Sequence, residues 1–389
     1  MPSQPQPVPA CPQPLAGFRV IEFCQIAAGP FAGLLLADMG ADVIKVEAPG
    51  GDGMRGWPPL TGGESENFAA VNRNKRSVVL DLKAPGDLAR ARALSLSADV
   101  VLENFRPGVM QRLGLGPEAL MADKPALVYC SVSAYGQEGP RAQEGGFDVT
   151  LQAMGGVMSV TGEPDGAPVK CGVPLTDFGA GLYAAFAIAS ALHQARATGR
   201  GVRIDVPMLG ATLAMGALQT SEYFGRGEDP VKLGSAHPRN APYQAFRARD
   251  DWFVMAAGND ALFRRACEGI GCPDLAQDPR FASTALRAQH QSALRELLER
   301  EFARFSAAEC LQIMRERGVP CAPINRYSQA LADPQVAHYG WVVPLELANG
   351  ARTRTFVSPL RLDGQTRGVS RRPPALGEHN DEVFTEIKA

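Results

Sequence analysis

Over residues 18–136 the chain alternates short β-branched runs with Gly- and Ala-rich helical stretches, and this alternation constrains the fold more than any other feature. FRVIEF (18–23) reads as a buried strand and GPFAGLLLADMG (29–40) as a helix with Pro30 in its first turn. ADVIKVE (41–47) is a second strand, followed by RSVVLDL (76–82), a helical stretch near 87–97, ADVVLEN (98–104) and ALVYCSVSAYG (126–136). Strands separated by helices imply an α/β fold whose parallel sheet is wound by right-handed crossovers. Ligands of such sheets lie beyond the carboxyl ends of the strands, which points at 24–30, 48–57 and 104–112.

From 145 to 215 the pattern becomes Gly- and Ala-rich helix, interrupted by GRGVRIDVPML. It changes again near 225. PYQAFRARDDWFVMAAG (242–258) reads as a β-hairpin turning at Arg249–Asp251. Helices follow, with Leu294, Leu297, Leu298, Phe302 and Phe305 on one face and SAAE (306–309) as a capping box. These signals place a large domain at 15–224, a smaller α+β domain at 225–328, and a segment at 329–389 that returns to the large domain.

Composition excludes several functions. With 39 basic and 41 acidic residues the formal net charge is −2, so nothing favours nucleic acid or an anionic membrane as partner. No run reaches the roughly 18 apolar residues of a membrane span. Residues 1–14 carry six prolines and no basic residue, which reads as a disordered tail and not as a signal peptide. The eight cysteines and five histidines are scattered without metal-ligand spacing, so reduced thiols in a cytoplasm and no metal site are expected.

One carboxylate stands out. In VKCGVPLTDFGAGLYAAFAIASALHQA (169–195), Asp177 lies between a short apolar segment and a long, almost uncharged helix. Such an Asp is commonly an N-cap. Alternatively, Gly179 and Gly181 allow a ligand close to the backbone, and the helix dipole keeps a weakly hydrated carboxylate ionised and nucleophilic toward a thioester. Both readings stand on spacing alone. Lys75, Arg76, Arg106 and Arg112 fall near expected strand ends, where they could hold phosphates or simply face solvent. The first βαβ unit suggests a dinucleotide site, but CQIAAGPFAG is not GxGxxG, and Pro30 lacks a donor that a pyrophosphate would need. A nicotinamide dehydrogenase is therefore the weaker alternative.

The stretches VIEFCQIAAGPFAGLLLADMGADVIKVEAPGGD, NRNKRSVVLDLK, ADVVLENFRPG, PLTDFGAG, GRGVRIDVPML and PALGEHND resemble class III CoA-transferases of the formyl-CoA:oxalate and carnitine type, from about residue 15 to 385. The resemblance implies a Rossmann-like large domain built from both chain ends, a small domain, and two monomers interlocked as a homodimer. It implies that Asp177 is the nucleophile that carries CoA as a thioester, with acyl-CoA and small carboxylic acids as substrates and no tightly bound cofactor. By the same resemblance, CoA is contacted by Ile26, Ala27, Leu80, Lys83, Asn104, Phe105 and Arg112. Trp57, Phe147, Asp148, Gly258 and Asn259 fall at the acyl site, the last two in a lid.

Departures from the oxalate enzymes bear on the substrate. Ala27 stands where they have Gln, Ala48 where they have Arg, Phe147 where they have Tyr, and GND (258–260) where they have a glycine lid. A larger acid than oxalate is expected, with succinyl-CoA as donor and a C4–C5 dicarboxylate as acceptor. His237 and Arg239 are candidates to meet its distal carboxylate. The rival within the superfamily is α-methylacyl-CoA racemase, which needs a second acid/base where this chain carries Phe147, a side chain that cannot transfer a proton.

Overall fold

Six parallel strands answer the alternation in the sequence. They are β1 (Arg19–Phe23), β2 (Asp42–Glu47), β3 (Lys75–Val79), β4 (Val100–Glu103), β5 (Val128–Ser133) and β6 (Arg203–Pro207), in the sheet order β3-β2-β1-β4-β5-β6. This is the doubly wound order, and its direction reverses between β1 and β4. The computed structural model describes residues 11–387, so most of the expected Pro-rich tail lies outside the described residues.

Helix α1 (Ala28–Asp38) follows β1, α2 (Pro85–Ser97) follows β3, and the short α3 (Asp148–Met154) precedes the 24-residue α4 (Leu175–Thr198). Helix α5 (Met208–Met215) leaves β6 directly. Successive strand residues face opposite sides of the sheet. Val20, Val43, Val100, Leu102 and Val128 pack with α1, α4 and α5, whereas Ile21, Ile44, Val101 and Tyr129 pack with Ala91 and Leu94 of α2 and with Val383. Strand β3 is shorter than RSVVLDL suggests. Past Val79 the amides of Asp81 and Lys83 go to the carboxylates of Asp87 and Asp81, which turns the chain into α2.

The chain divides into two units. The first comprises residues up to Val157, Lys170–Gly227 and the chain from Pro334 onward; the second comprises Met158–Val169 and Glu228–Asp333. Residues 158–169 were expected in the large domain. They join the smaller unit because Gly234 donates its amide to Gly162 O and Lys232 Nζ bonds the carbonyls of Gly166 and Ala167. Within that unit β7 (Tyr243–Arg247) and β8 (Trp252–Ala256) form the expected hairpin, and β9 (Cys321–Pro323) pairs with β8. Helices α6 (Asp260–Gly269), α7 (Gln291–Phe302) and α8 (Ala307–Glu316) cover it. Ser306 and Glu309 form the expected capping box at α8, and Leu294, Leu298 and Phe302 of α7 are buried against Phe246 and Phe253.

In the first unit residues 379–386 lie along β3. Ser77 donates its amide to His379 Nδ1 and accepts the His379 amide, while Val79 donates to Asn380 Oδ1. Arg76 pairs with Asp42, Glu382 and Glu386. These contacts satisfy an edge strand that would otherwise offer free ladder groups. Arg76 is thereby committed to structure and does not serve as a phosphate ligand.

Three central strands also share a buried ionic cluster. Glu22 of β1 receives Lys45 of β2 at 3.3 Å and Lys75 of β3 at 2.8 Å, and all three side chains are inaccessible to solvent. Lys45 further reaches Asp52 at 2.9 Å and Cys24 O at 2.7 Å, while Lys75 bonds Pro30 O and Asn72. Burial works against both ammonium groups. In Lys45 the surrounding acids Glu22, Asp52 and Glu47 outweigh it, and its pKa lies above the ordinary value; in Lys75 burial prevails and the pKa falls to about 8. Lys75, like Arg76, is therefore not a phosphate ligand.

Helix α1 passes over this cluster at Gly33, where a Cβ would land on Glu22 Oε2 and lie 3.3 Å from Lys75 Nζ. Gly33→Ala is therefore expected to cost about 2–4 kcal/mol of stability. Urea unfolding checks it, and a midpoint equal to wild type would refute the close packing.

Candidate active site

Beyond the carboxyl ends of β1 and β4, where the strand order reverses, lies a cavity of about 430 Å³. It is lined by Gln25–Ala28, Asn104–Pro107, Val132–Ala134, Glu144–Phe147, Asp177 and Met208. Its floor is a short turn after β1. Ile26 there adopts φ +67°, a left-handed conformation costly for a β-branched residue. Asp52 holds it, accepting the Ile26 amide with both oxygens at 3.2 Å while Lys45 neutralises the carboxylate. The neighbouring turn is clamped by Asn104, which accepts the Gln25 amide and donates to Gln25 O, each at 2.9 Å.

Asp177 sits in the first turn of α4 and opens on the cavity. It is not an N-cap: Pro174 occupies that position, and the first-turn amide of Thr176 is taken by Asp148. Asp177 has no hydrogen-bond or ion-pair partner among the described residues. Burial, and then the Asp148 carboxylate, raise its pKa to about 6. Both effects work against the charge, which is still carried at neutral pH but lost as pH falls through about 6. Gly179 and Gly181 also differ from expectation. Both are buried; a Cβ at Gly181 would meet Ala28 O and Phe31, and one at Gly179 would meet Met215. They admit neighbouring protein, not a ligand.

The cavity brings together Ile26, Ala27, Asn104, Phe105, Phe147 and Asp177 from the expected set. Others stand elsewhere. Leu80 is 1% exposed within the core, so its side chain cannot face an adenine. Lys83 and Arg112 are on the surface outside the lining, as is Trp57. Asp148 is turned away from the cavity: it accepts the Thr176 amide at 2.9 Å and the Gln152 amide at 2.7 Å.

Gly258 and Asn259 belong to the second unit, where Asn259 caps α6 by accepting the Leu262 amide. Gly258 O accepts from Thr284, and Asp260 pairs with the buried Arg287. In the same unit His237 Nδ1 accepts the amides of Arg239 and Asn240, a turn-forming role.

Residue-level reading missed Val132–Ala134, Glu144 and Met208. The strand-end rule that pointed at the turns after β1 and β4 would have found the ends of β5 and β6 had it been applied there.

Residues 15–380 match the family model described as CoA-transferase family III. The chain belongs to CoA-transferase family III. This transferase is 40% identical over 383 residues to a succinate–glutarate CoA-transferase of Agrobacterium fabrum, covering 96% of each chain. It is 35% identical over 377 residues to a human succinyl-CoA:glutarate CoA-transferase, covering 96% of this chain and 86% of that one. Among solved structures, a CaiB/BaiF family protein from Brucella suis superposes with a TM-score of 0.86 at 38% identity, covering 97% of this chain and all of that one. Family membership removes the dehydrogenase alternative.

Helix α4 has 24 residues and an 18-residue window of mean hydropathy 1.4, so by length and composition it is the one helix among the described residues that could cross a membrane, a test that a core helix also meets. One side, from Thr176 through Ala195, is buried against the sheet and against α1 and α5, while Leu182, Tyr183 and Phe186 project outward.

The raised pKa of Asp177 carries a stability consequence. Its folded value exceeds its unfolded one, so the fold binds the extra proton and gains stability as pH drops from about 6 toward 4. Ionised at neutral pH, the group is a liability. Asp177→Asn should therefore unfold later than wild type at pH 7.5, by roughly 1–3 kcal/mol, with the advantage gone by pH 4. Thermal melts across that range would show it; a difference independent of pH would contradict the buried-charge account.

Proposed function

We propose that this transferase moves CoA from succinyl-CoA to a C4–C5 dicarboxylic acid, with glutarate foremost, through a CoA thioester on Asp177. What carries the reading is Asp177 itself, a carboxylate without a partner at the cavity on the sheet's reversal point. An Asp177 oxygen attacks the thioester carbonyl, expelling CoA thiolate and leaving an aspartyl–succinyl anhydride. The thiolate attacks the aspartyl carbonyl, releasing succinate and forming the Asp177–CoA thioester. The acceptor carboxylate displaces the thiolate to give a second anhydride. Thiolate attack on the acceptor's acyl carbon then yields the new acyl-CoA and frees Asp177. Acyl–oxygen bonds conserve the thioester's energy, so CoA enters and leaves as substrate and no cofactor is needed.

Phe147 supports transfer over racemisation, because it lines the cavity at 75% exposure and offers no proton at the α-carbon. Arg106 is the one cation among the described residues lining the cavity, and it has no ion-pair partner among them. A guanidinium is suited to a second carboxylate. The enzyme acts as an interlocked homodimer in the cytoplasm. Support for the dimer comes from Leu182 and Phe186 on α4 and from Leu218 and Phe224 on the following helix Ala217–Arg226, large apolar side chains left open in one copy.

Two experiments test this. Asp177→Ala should lower transfer by at least roughly 10⁴-fold, and hydroxylamine added during turnover should leave a hydroxamate at position 177 seen by peptide mass spectrometry. Transfer that survives the substitution, or a hydroxamate elsewhere, would sink the mechanism. Arg106→Gln should raise the KM for glutarate about 10- to 100-fold while sparing a monocarboxylate acceptor. Equal losses for both acceptors would assign Arg106 to CoA instead.

A further inference from the structure

Asp148 and Gln152 lie one turn apart on α3, and both are tied into the segment that delivers Asp177. Asp148 Oδ1 accepts the Thr176 amide at 2.9 Å, so an acid from one helix satisfies a free first-turn donor of another. Asp148 Oδ2 accepts from Gln152 Nε2 at 2.7 Å, and Gln152 Oε1 accepts the Cys171 amide at 2.8 Å. Gln152 is fully buried, and Thr176 is too, with the Thr212 hydroxyl donating to its Oγ1 at 3.0 Å. Three bonds thus fix residues 171–176 at both ends. The same carboxylate lies beside Asp177 without bonding it.

We propose that Asp148 and Gln152 are a positioning pair that anchors the entry to α4 and holds a carboxylate next to the Asp177 nucleophile. Like charge beside a carboxylate favours its protonated form and makes the ionised form more basic, hence a better nucleophile toward an acyl carbon. Other elements packed on α4 supply little to offset it. Helix α5 and strand β5 carry no charge, α1 carries only Asp38 at its far end, and β6 carries Arg203 and Asp205. Arg106 and Glu144 line the cavity with opposite signs. The direction agrees with the raised Asp177 value, in which Asp148 follows burial as a cause. Asp148 therefore acts through Asp177, and the inference rests on the assignment of Asp177 as nucleophile.

The polarity of the three bonds provides a test that separates anchoring from charge. In Asp148→Asn the new amide faces the Gln152 amide, and either that bond or the one to Cys171 is lost. In the double variant Asp148→Asn/Gln152→Glu all three bonds re-form. The new amide at position 148 accepts from Thr176 and donates to the new carboxylate at position 152, which also accepts from Cys171. The negative charge has moved from position 148 to position 152. Each variant is examined by thermal melting and by the pH dependence of carbodiimide-driven amine coupling to Asp177, read by peptide mass spectrometry without substrate. The pH profile of thioester formation from succinyl-CoA is measured alongside.

The single variant should melt lower than wild type, and the double variant should recover. In the double variant the acidic limb of Asp177, in coupling and in thioester formation, should move down by roughly half to one pH unit, since removing a like charge lowers the folded value. Recovery of the melt with an unmoved limb would overturn the charge role. A single variant as stable as wild type, or a double variant that does not recover, would overturn the anchor. If wild-type Asp177 titrates in the coupling assay yet forms no CoA thioester, the transferase reading fails while the pair's effect on Asp177 is still measured.

Discussion

Glu22, buried between Lys45 and Lys75, is the interaction on which the site depends. Each residue comes from a different one of three adjacent strands, so the cluster fixes their register from inside the sheet. Ions taken from water seldom add net stability, and their value lies in excluding other arrangements. Here Lys45 passes the constraint outward through Cys24 O and Asp52, and Asp52 holds Ile26 left-handed at the cavity floor. Removal of any member would strand a charge beneath the cavity.

Above that floor Asp177, the proposed nucleophile, has no partner among the described residues. Neighbouring carboxylates are used fully, Asp52 by Lys45 and two amides, Asp148 by two amides, while Asp177 accepts nothing from the described residues. In the role proposed for it, forming and breaking covalent bonds twice per cycle, Asp177 is better served by free oxygens than by partners, since each partner would have to be released before attack. Helix α4 supplies the rigidity that the missing bonds cannot. Its small residues let it seat closely on α1, with the rings of Phe31 and Phe178 packed at a tilt, 4.5 Å between centroids.

The sheet was legible in the sequence because period-2 burial on two faces demands the β-branched runs that mark its strands. Their ends were less so: RSVVLDL looks apolar through Leu82, yet side-chain carboxylates claim the amides after Val79. Asp177 was legible as an anomaly, an acid in an apolar stretch, and family motifs then gave it a role. The glycines beside it were misread because a glycine that admits a helix and one that admits a ligand look alike until the neighbours are known. Lys45 and Lys75 lie in runs that pass for ordinary strands, and nothing local reveals that they converge on Glu22. Leu80 shows the opposite failure, a motif position whose side chain the fold commits to the core.

The closure of β3 by the C-terminal segment has a kinetic meaning. Contacts such as Ser77–His379, Val79–Asn380 and Arg76–Glu386 span 302, 301 and 310 residues. On a ribosome, the edge of the sheet would emerge long before the residues that cover it, and the loop between them must close at an entropic cost that slows folding. Until residues 379–386 have emerged, β3 remains an open strand edge, a template for pairing with other chains. The helix Asn380–Glu386 is thus the latch on a nascent intermediate, and deletions there would be felt as aggregation during synthesis before they were felt as loss of catalysis.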